Sequence, residues 1–183
     1  MRRRIVGCII VAFVFLNYSC DNLTRQAENV EIGVEKNIMQ KEDGTISLNM
    51  ENADCYSDMV NPGSNTAEWN VVVFKSGRFN VWLSSATKDT NDLHYENSVM
   101  FNIHDDRLVA HPACDKVVHN SKDVSYPYFQ ADSFMGSLYI QDTGIYNIQI
   151  ISDKIVPKGF KHSESTLVES TKLISVFLTP TTN

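Results

Sequence analysis

Trp82 is the side chain best suited to direct recognition chemistry in this sequence. It lies in Phe79-Asn80-Val81-Trp82-Leu83, where Phe79, Val81 and Leu83 alternate, so a period of two puts its indole on the opposite strand face. A tryptophan that reaches solvent offers an apolar plane to the C–H face of a sugar ring. The competing expectation is that a long loop or an edge strand covers it. Trp69 is in phase with Val71 and Val73 and reads as core. Tyr56, Tyr95, Tyr126, Tyr128 and Phe129 fall in predicted loops, most densely in Tyr126-Pro127-Tyr128-Phe129. Rigid tyrosines supply contact area at low entropy cost to a glycan or a protein partner, or lie down over one end of the domain as a plug.

Motifs for bond-breaking chemistry are absent. The sequence holds no Gly-x-Ser-x-Gly elbow, no His-Glu-x-x-His and no phosphate-cradling loop. Glycoside hydrolysis needs two carboxylates about 5–10 Å apart across a cleft, and no spacing singles out such a pair. The chain therefore reads as a non-enzyme. His104-Asp105-Asp106 with His111 mixes oxygen and imidazole ligands in a way that selects neither a hard cation nor a transition metal. Asp105-Asp106 is better explained as turn chemistry. Cys55 and Cys114 can pair in an oxidising compartment or remain two buried thiols. A disulfide closing that loop would add about 4 kcal/mol in the chain-entropy model.

These residues must be held by strands. From Gly44 onward short β segments alternate with Gly, Pro, Asn, Asp and Ser, and no 12-residue stretch shows an apolar stripe of period 3.6. Residues 69–83 repeat at 136–150: each copy is a strand, a tight turn containing Gly77 or Gly144, and a second strand. A glycine at such a turn supplies a positive φ without steric cost. Val71, Val73, Phe79, Val81 and Leu83 share one face, as do Leu138, Ile140, Tyr146, Ile148 and Ile150. The expectation is a sandwich with one hairpin-like unit in each half and these two sets as facing core layers. Further strands are expected at 45–49, running toward Ala53, at 99–103 and 107–110 as a hairpin, and at 172–178 with Ile174, Val176 and Leu178 in phase. Pro180 should end the last one. Long loops are expected at 56–66, 84–97, 111–133 and 152–170.

The first 20 residues carry an address. Arg2-Arg3-Arg4 precedes an apolar run, Ile5 to Leu16, too short to span a bilayer, and Asn17-Tyr18-Ser19-Cys20 follows. The placement of Cys20 resembles the lipobox of bacterial lipoproteins, with Asn17 where Leu is usual. The resemblance implies cleavage after residue 19, lipidation (palmitate) of Cys20, and a place in the envelope of a Gram-negative bacterium; ordinary signal cleavage without lipidation is the alternative. The outer membrane is expected, on its periplasmic or surface side. Residues 20–43 are polar and read as a tether whose tail can enter the first strand, leaving 44–183 as the domain. Loss of residues 1–19 leaves 13 basic against 22 acidic side chains, a net charge of −9, because three arginines and no acids depart with the leader. With no basic cluster left, nucleic-acid binding is excluded as a function class.

Glu68-Trp69-Asn-Val-Val-Val-Phe-Lys-Ser-Gly77-Arg-Phe-Asn-Val-Trp82-Leu resembles the signature of jelly-roll carbohydrate-binding modules, of the type appended to fucosidases and other glycan-degrading enzymes. Met135-Gly136-Ser-Leu-Tyr-Ile, Gly144-Ile-Tyr-Asn-Ile and Leu178-Thr-Pro180 match the end of that pattern. The resemblance covers about residues 45–180. It implies an all-β, two-sheet antiparallel jelly-roll sandwich with few or short helices, and no cofactor beyond a structural calcium near the first strand, with Glu51 and Asp54 as ligands. The expected function is non-catalytic carbohydrate binding by stacking on Trp82, Tyr95, Tyr126 or Tyr128, with Asn, Asp and Gln meeting ring hydroxyls. The alternative is a structural or assembly lipoprotein binding an envelope protein through its loops; a hydrolase, or its accessory, is the third.

Overall fold

The computed structural model describes residues 37–58, 60–156 and 171–181. Residues 1–36, with the leader and Cys20, lie outside the described residues, as does most of the predicted loop at 152–170. Eleven strands build two sheets: β1 (Ile38–Met39), β2 (Ile46–Asn49), β3 (Asp54–Tyr56), β4 (Thr66–Val73), β5 (Gly77–Thr87), β6 (Val99–Ile103), β7 (Asp106–Ala110), β8 (Lys116–Val118), β9 (Phe129–Ile140), β10 (Gly144–Ile151) and β11 (Lys172–Pro180). One sheet runs β1-β4-β10-β6-β7 with β3 also on β4, and the other runs β2-β11-β5-β9-β8. Every pair is antiparallel except β1 with β4. Short 3₁₀ turns at Met50–Asn52 and Pro62–Ser64 are the only helical elements among the described residues. The chain is an all-β sandwich.

The alternating rows close on each other as expected. Val71, Val73, Phe79, Val81 and Leu83 are buried, and so are Leu138, Ile140, Ile148 and Ile150, while Tyr146 is half-buried at the rim. The connections differ from the expectation. Neither repeat is a hairpin: β4 lies in the six-stranded sheet and β5 in the five-stranded one, and β9 and β10 divide likewise. The two copies pair with each other, β4 with β10 and β5 with β9. Each three-residue connection is an arch from one sheet to the other.

Gln40 explains how the first arch is held. Its side-chain carbonyl accepts from the N–H groups of Phe74 and Lys75 at 3.0 and 2.8 Å, and its amide donates to the carbonyls of Gly44 and Lys75 at 2.9 and 3.1 Å. Backbone groups that a hairpin would pair with a neighbouring strand are thus satisfied by one buried side chain. β1 and Gln40, at the tail of the expected tether, are thus part of the sandwich. In β11 a bulge between Leu173 and Ser175 puts Leu173, rather than Ile174, in the core beside Val176 and Leu178. The β6–β7 hairpin forms as expected, turning at His104-Asp105, and Pro180 ends β11.

Candidate functional site

Trp82 stands on the outer face of the five-stranded sheet, in the middle of an aromatic row that crosses three strands. Its β11 neighbour is Phe177 and its β9 neighbour is Phe134. Ring centroids are 6.2 Å apart for Trp82 and Phe177, which are parallel within 6°, and 5.1 Å for Trp82 and Phe134, which are tilted by 54°. Phe134 is 44% exposed, and Trp82 and Phe177 are half-buried. Among the described residues the row is an open apolar platform, neither covered by a loop nor lost in the core.

A bulge builds the row. Counting back from core-facing Leu138 in steps of two would put Phe134 inside. Between the pairs Val81–Gly136 and Trp82–Phe134 the register shifts, with Met135 as the extra residue, and the phase reverses. Gly136 permits this with φ of +132°, a backbone region that L side chains rarely adopt. A Cβ there would also stand 3.3 Å from Leu108 Cδ2.

Polar residues flank the platform. On one side Ser137 donates to Asn80 Oδ1 at 2.6 Å, with Thr179 next to Asn80 on β11. On the other, Ser84 donates to Asp132 Oδ1 at 2.6 Å, and the Gln130 amide donates to both at 3.2 and 3.1 Å. That second network is buried, so it stiffens the floor, while half-buried Asn80, Ser137 and Thr179 meet solvent.

The other sequence candidates separate from Trp82. Tyr126 is 92% exposed, and Tyr128 lies under the Lys88 ammonium, 5.4 Å from the ring centroid. Both precede Phe129, which pairs with Thr87, five strand residues or about 17 Å from Trp82. Tyr95 is no ligand contact. It is 5% exposed, its hydroxyl is 2.8 Å from Ser85 Oγ, and burial pushes its phenol well above the usual range. Glu51 and Asp54 are exposed, and no group of three or more His, Cys, Asp or Glu gathers among the described residues to hold a metal. Cys55 on β3 and Cys114 before β8, both half-buried, are not bonded to each other in this structure. Burial, then the carboxylates of Asp115 and Asp132, push the Cys114 thiol upward. Asp43, Asp58 and Asp89 are held below the usual carboxylate range by accepting N–H bonds within their own turns, a local structural role.

Sequence reasoning missed a second feature. A cleft of about 790 Å³ opens between the β6–β7 turn and the β9–β10 arch, with Asn102, His104, Tyr139, Ile145, Asn147 and Gln149 among its lining. The lining comes from two distant stretches of chain. The visible signal was the polar outer positions of β10, where the first copy carries Trp82.

No protein-family profile and no curated protein sequence matches the chain. Solved structures do match. An α-L-fucosidase from Vibrio sp. strain EJY3 aligns with TM-score 0.59 and 20% identity, over 78% of this chain and 24% of the fucosidase. A GH26-CBM35 β-(1,4)-mannanase from Podospora anserina aligns at TM-score 0.44 and 12% identity, over 77% of this chain and 28% of the mannanase. The chain thus spans about a quarter of each enzyme. The fucosidase alignment shows a shared β-sandwich fold.

Proposed function

We propose that this protein is a non-catalytic carbohydrate-binding module that stacks a sugar on Trp82. The observation that carries the reading is the Phe177–Trp82–Phe134 row: three aromatic rings across three strands, uncovered among the described residues and edged by Asn80, Ser137 and Thr179. Stacking takes the C–H face of a ring, and the flanking amide and hydroxyls take its oxygens. The fold shared with part of a fucosidase is consistent with this role. The platform is shallow, so single-site binding is weak; acylation of Cys20 and crowding at an outer membrane would supply avidity.

A glycan array read with wild type and Trp82→Ala tests the proposal. A specific wild-type signal lost in the mutant is the expected result. Absence of any wild-type signal, or a signal indifferent to Trp82→Ala, refutes it. Intrinsic fluorescence gives a direct check, because only two tryptophans exist and Trp69 is 3% exposed, with Nε1 donating to the Asn49 carbonyl at 3.0 Å. A ligand-induced change that is lost in Trp82→Ala is then assigned to Trp82.

A further inference from the structure

We infer that the cleft between the β6–β7 turn and the β9–β10 arch is a second binding site, for an uncharged oligosaccharide. The inference shares the sugar-binding reading of the aromatic row but none of its residues.

The cleft has an open backbone edge. β6 stops at Ile103, opposite Ile148, while β10 continues back to Gly144. Residues 144–147 pair with β4 on one side only among the described residues, so alternate N–H and C=O groups of that stretch face the cleft. Three side-chain amides stand beside this edge, each fixed at one end. Gln149 Nε2 donates to Glu68 Oε1 at 2.7 Å, Asn147 Nδ2 donates to Asn70 Oδ1 at 3.3 Å, and Asn102 Oδ1 accepts from Arg107 Nε at 3.1 Å. Fixing one end leaves the other end pre-oriented, which lowers the entropy cost of binding hydroxyls. Tyr139 and Ile145, 58% and 66% exposed, add apolar surface to the walls. The volume lies within the usual range for small-ligand sites, about 300–1,000 Å³.

Charge selects among saccharides. The lining carries Asp105, Asp106 and Asp142, against the Arg107 guanidinium bonded to Asn102 at its edge, so a uronate or sulfated chain meets net like charge. The internal repeat supports the placement: Asn80 and Trp82 of the first copy correspond to Asn147 and Gln149 of the second. The outer-face positions that border and form the aromatic row therefore recur on the other sheet as cleft lining.

The test is an NMR titration of the ¹⁵N-labelled protein with uncharged gluco-, xylo- and manno-hexaose and with anionic hexagalacturonate. At least one uncharged hexaose should shift the side-chain amides of Asn102, Asn147 and Gln149 and the backbone of 144–147, in wild type and in Trp82→Ala alike. Asn102→Ala, and separately Gln149→Ala, should weaken that response about fivefold, with spectral dispersion confirming the fold. Hexagalacturonate should bind at least about tenfold more weakly. Shifts confined to the aromatic row and lost in Trp82→Ala overturn the cleft while sparing the platform. Cleft shifts retained without any at the row keep the cleft and remove the platform. Equal response to hexagalacturonate overturns the charge argument, and silence toward every sugar overturns both sites.

Discussion

Replacing Gly136 with alanine should unfold the protein more readily than the same change at Gly77, by an amount traceable to one contact. Both glycines have strongly positive φ, +132° for Gly136 and +145° for Gly77. An alanine at either pays backbone strain of about 1–3 kcal/mol. Around Gly77 a new Cβ meets nothing within 4 Å, whereas at Gly136 it stands 3.3 Å from Leu108 Cδ2 and 3.6 Å from Cδ1. Leu108 packs against the core, so moving it adds about 1 kcal/mol of overpacking. Gly136→Ala should then cost about 2–4 kcal/mol and Gly77→Ala about 1–3. The unfolded-chain stiffening common to both changes cancels in the comparison. Urea titrations followed by circular dichroism measure each value. In a Leu108→Ala background, where the contact is gone, the two penalties should converge. Equal penalties in the parent, or a Gly136 penalty untouched by Leu108→Ala, would refute the account of how the bulge is accommodated. Because that bulge turns Phe134 outward beside Trp82, Gly136→Ala should also shift the Trp82 emission.

Two further changes probe the frame. Gln40→Ala strips the first arch of three hydrogen bonds and the Gly44 carbonyl of a fourth, and leaves the Phe74 and Lys75 N–H groups without that partner; a loss of about 2–3 kcal/mol in urea titration is expected, and a neutral result would refute the role given to Gln40. Tyr95→Phe leaves Ser85 Oγ without its partner at a fully buried position and should cost about 1–2 kcal/mol. Tyr95 also sets a pH dependence. Its folded pKa is raised above the ordinary 10.0 by burial, so above pH 10 the unfolded chain loses a proton that the folded one keeps. Stability should be level below that point and fall by up to about 1.4 kcal/mol per pH unit above it. Tyr95→Phe should abolish that component of the alkaline slope; an unchanged slope would show that Tyr95 is not its source.

Periodicity made the strands legible and left their partners open. Alternation at 71–83 and 138–150 identifies which side chains face inward, because every second residue of a strand shares a face. It does not say whether the next strand lies alongside or across the core, since a three-residue glycine turn serves a hairpin and an arch equally in sequence. In the first arch the turn's backbone groups are met by Gln40, whose position in a polar stretch carried no sign of its role. Trp82 was legible because its strand is regular up to that point. Phe134 was not, because Met135 inserts a phase reversal that only the pairing with β5 reveals. Tyr95 misled for a related reason: a tyrosine in a loop without periodicity can lie over the core, and here Ser85 satisfies its hydroxyl there. The cleft depends on where β6 stops relative to β10, a property of register.

The way the two copies differ argues that recognition belongs to the outer faces. At inward positions they match in kind: Phe79 with Tyr146, Val81 with Ile148, Leu83 with Ile150. These side chains share one core, where a change in volume or polarity is felt by every neighbour. At outward positions the constraint relaxes, and Arg78 faces Ile145, while Trp82 faces Gln149 in the alignment. Asn80 and Asn147 are the exception, an amide retained on both outer faces. In one copy it borders an aromatic platform and in the other an amide-lined cleft. Pairing each copy with its mate directs these two outer surfaces away from each other, one on each sheet. The two sites share no residue, so short ligands should load them independently, and Trp82→Ala should leave affinity at the cleft unchanged.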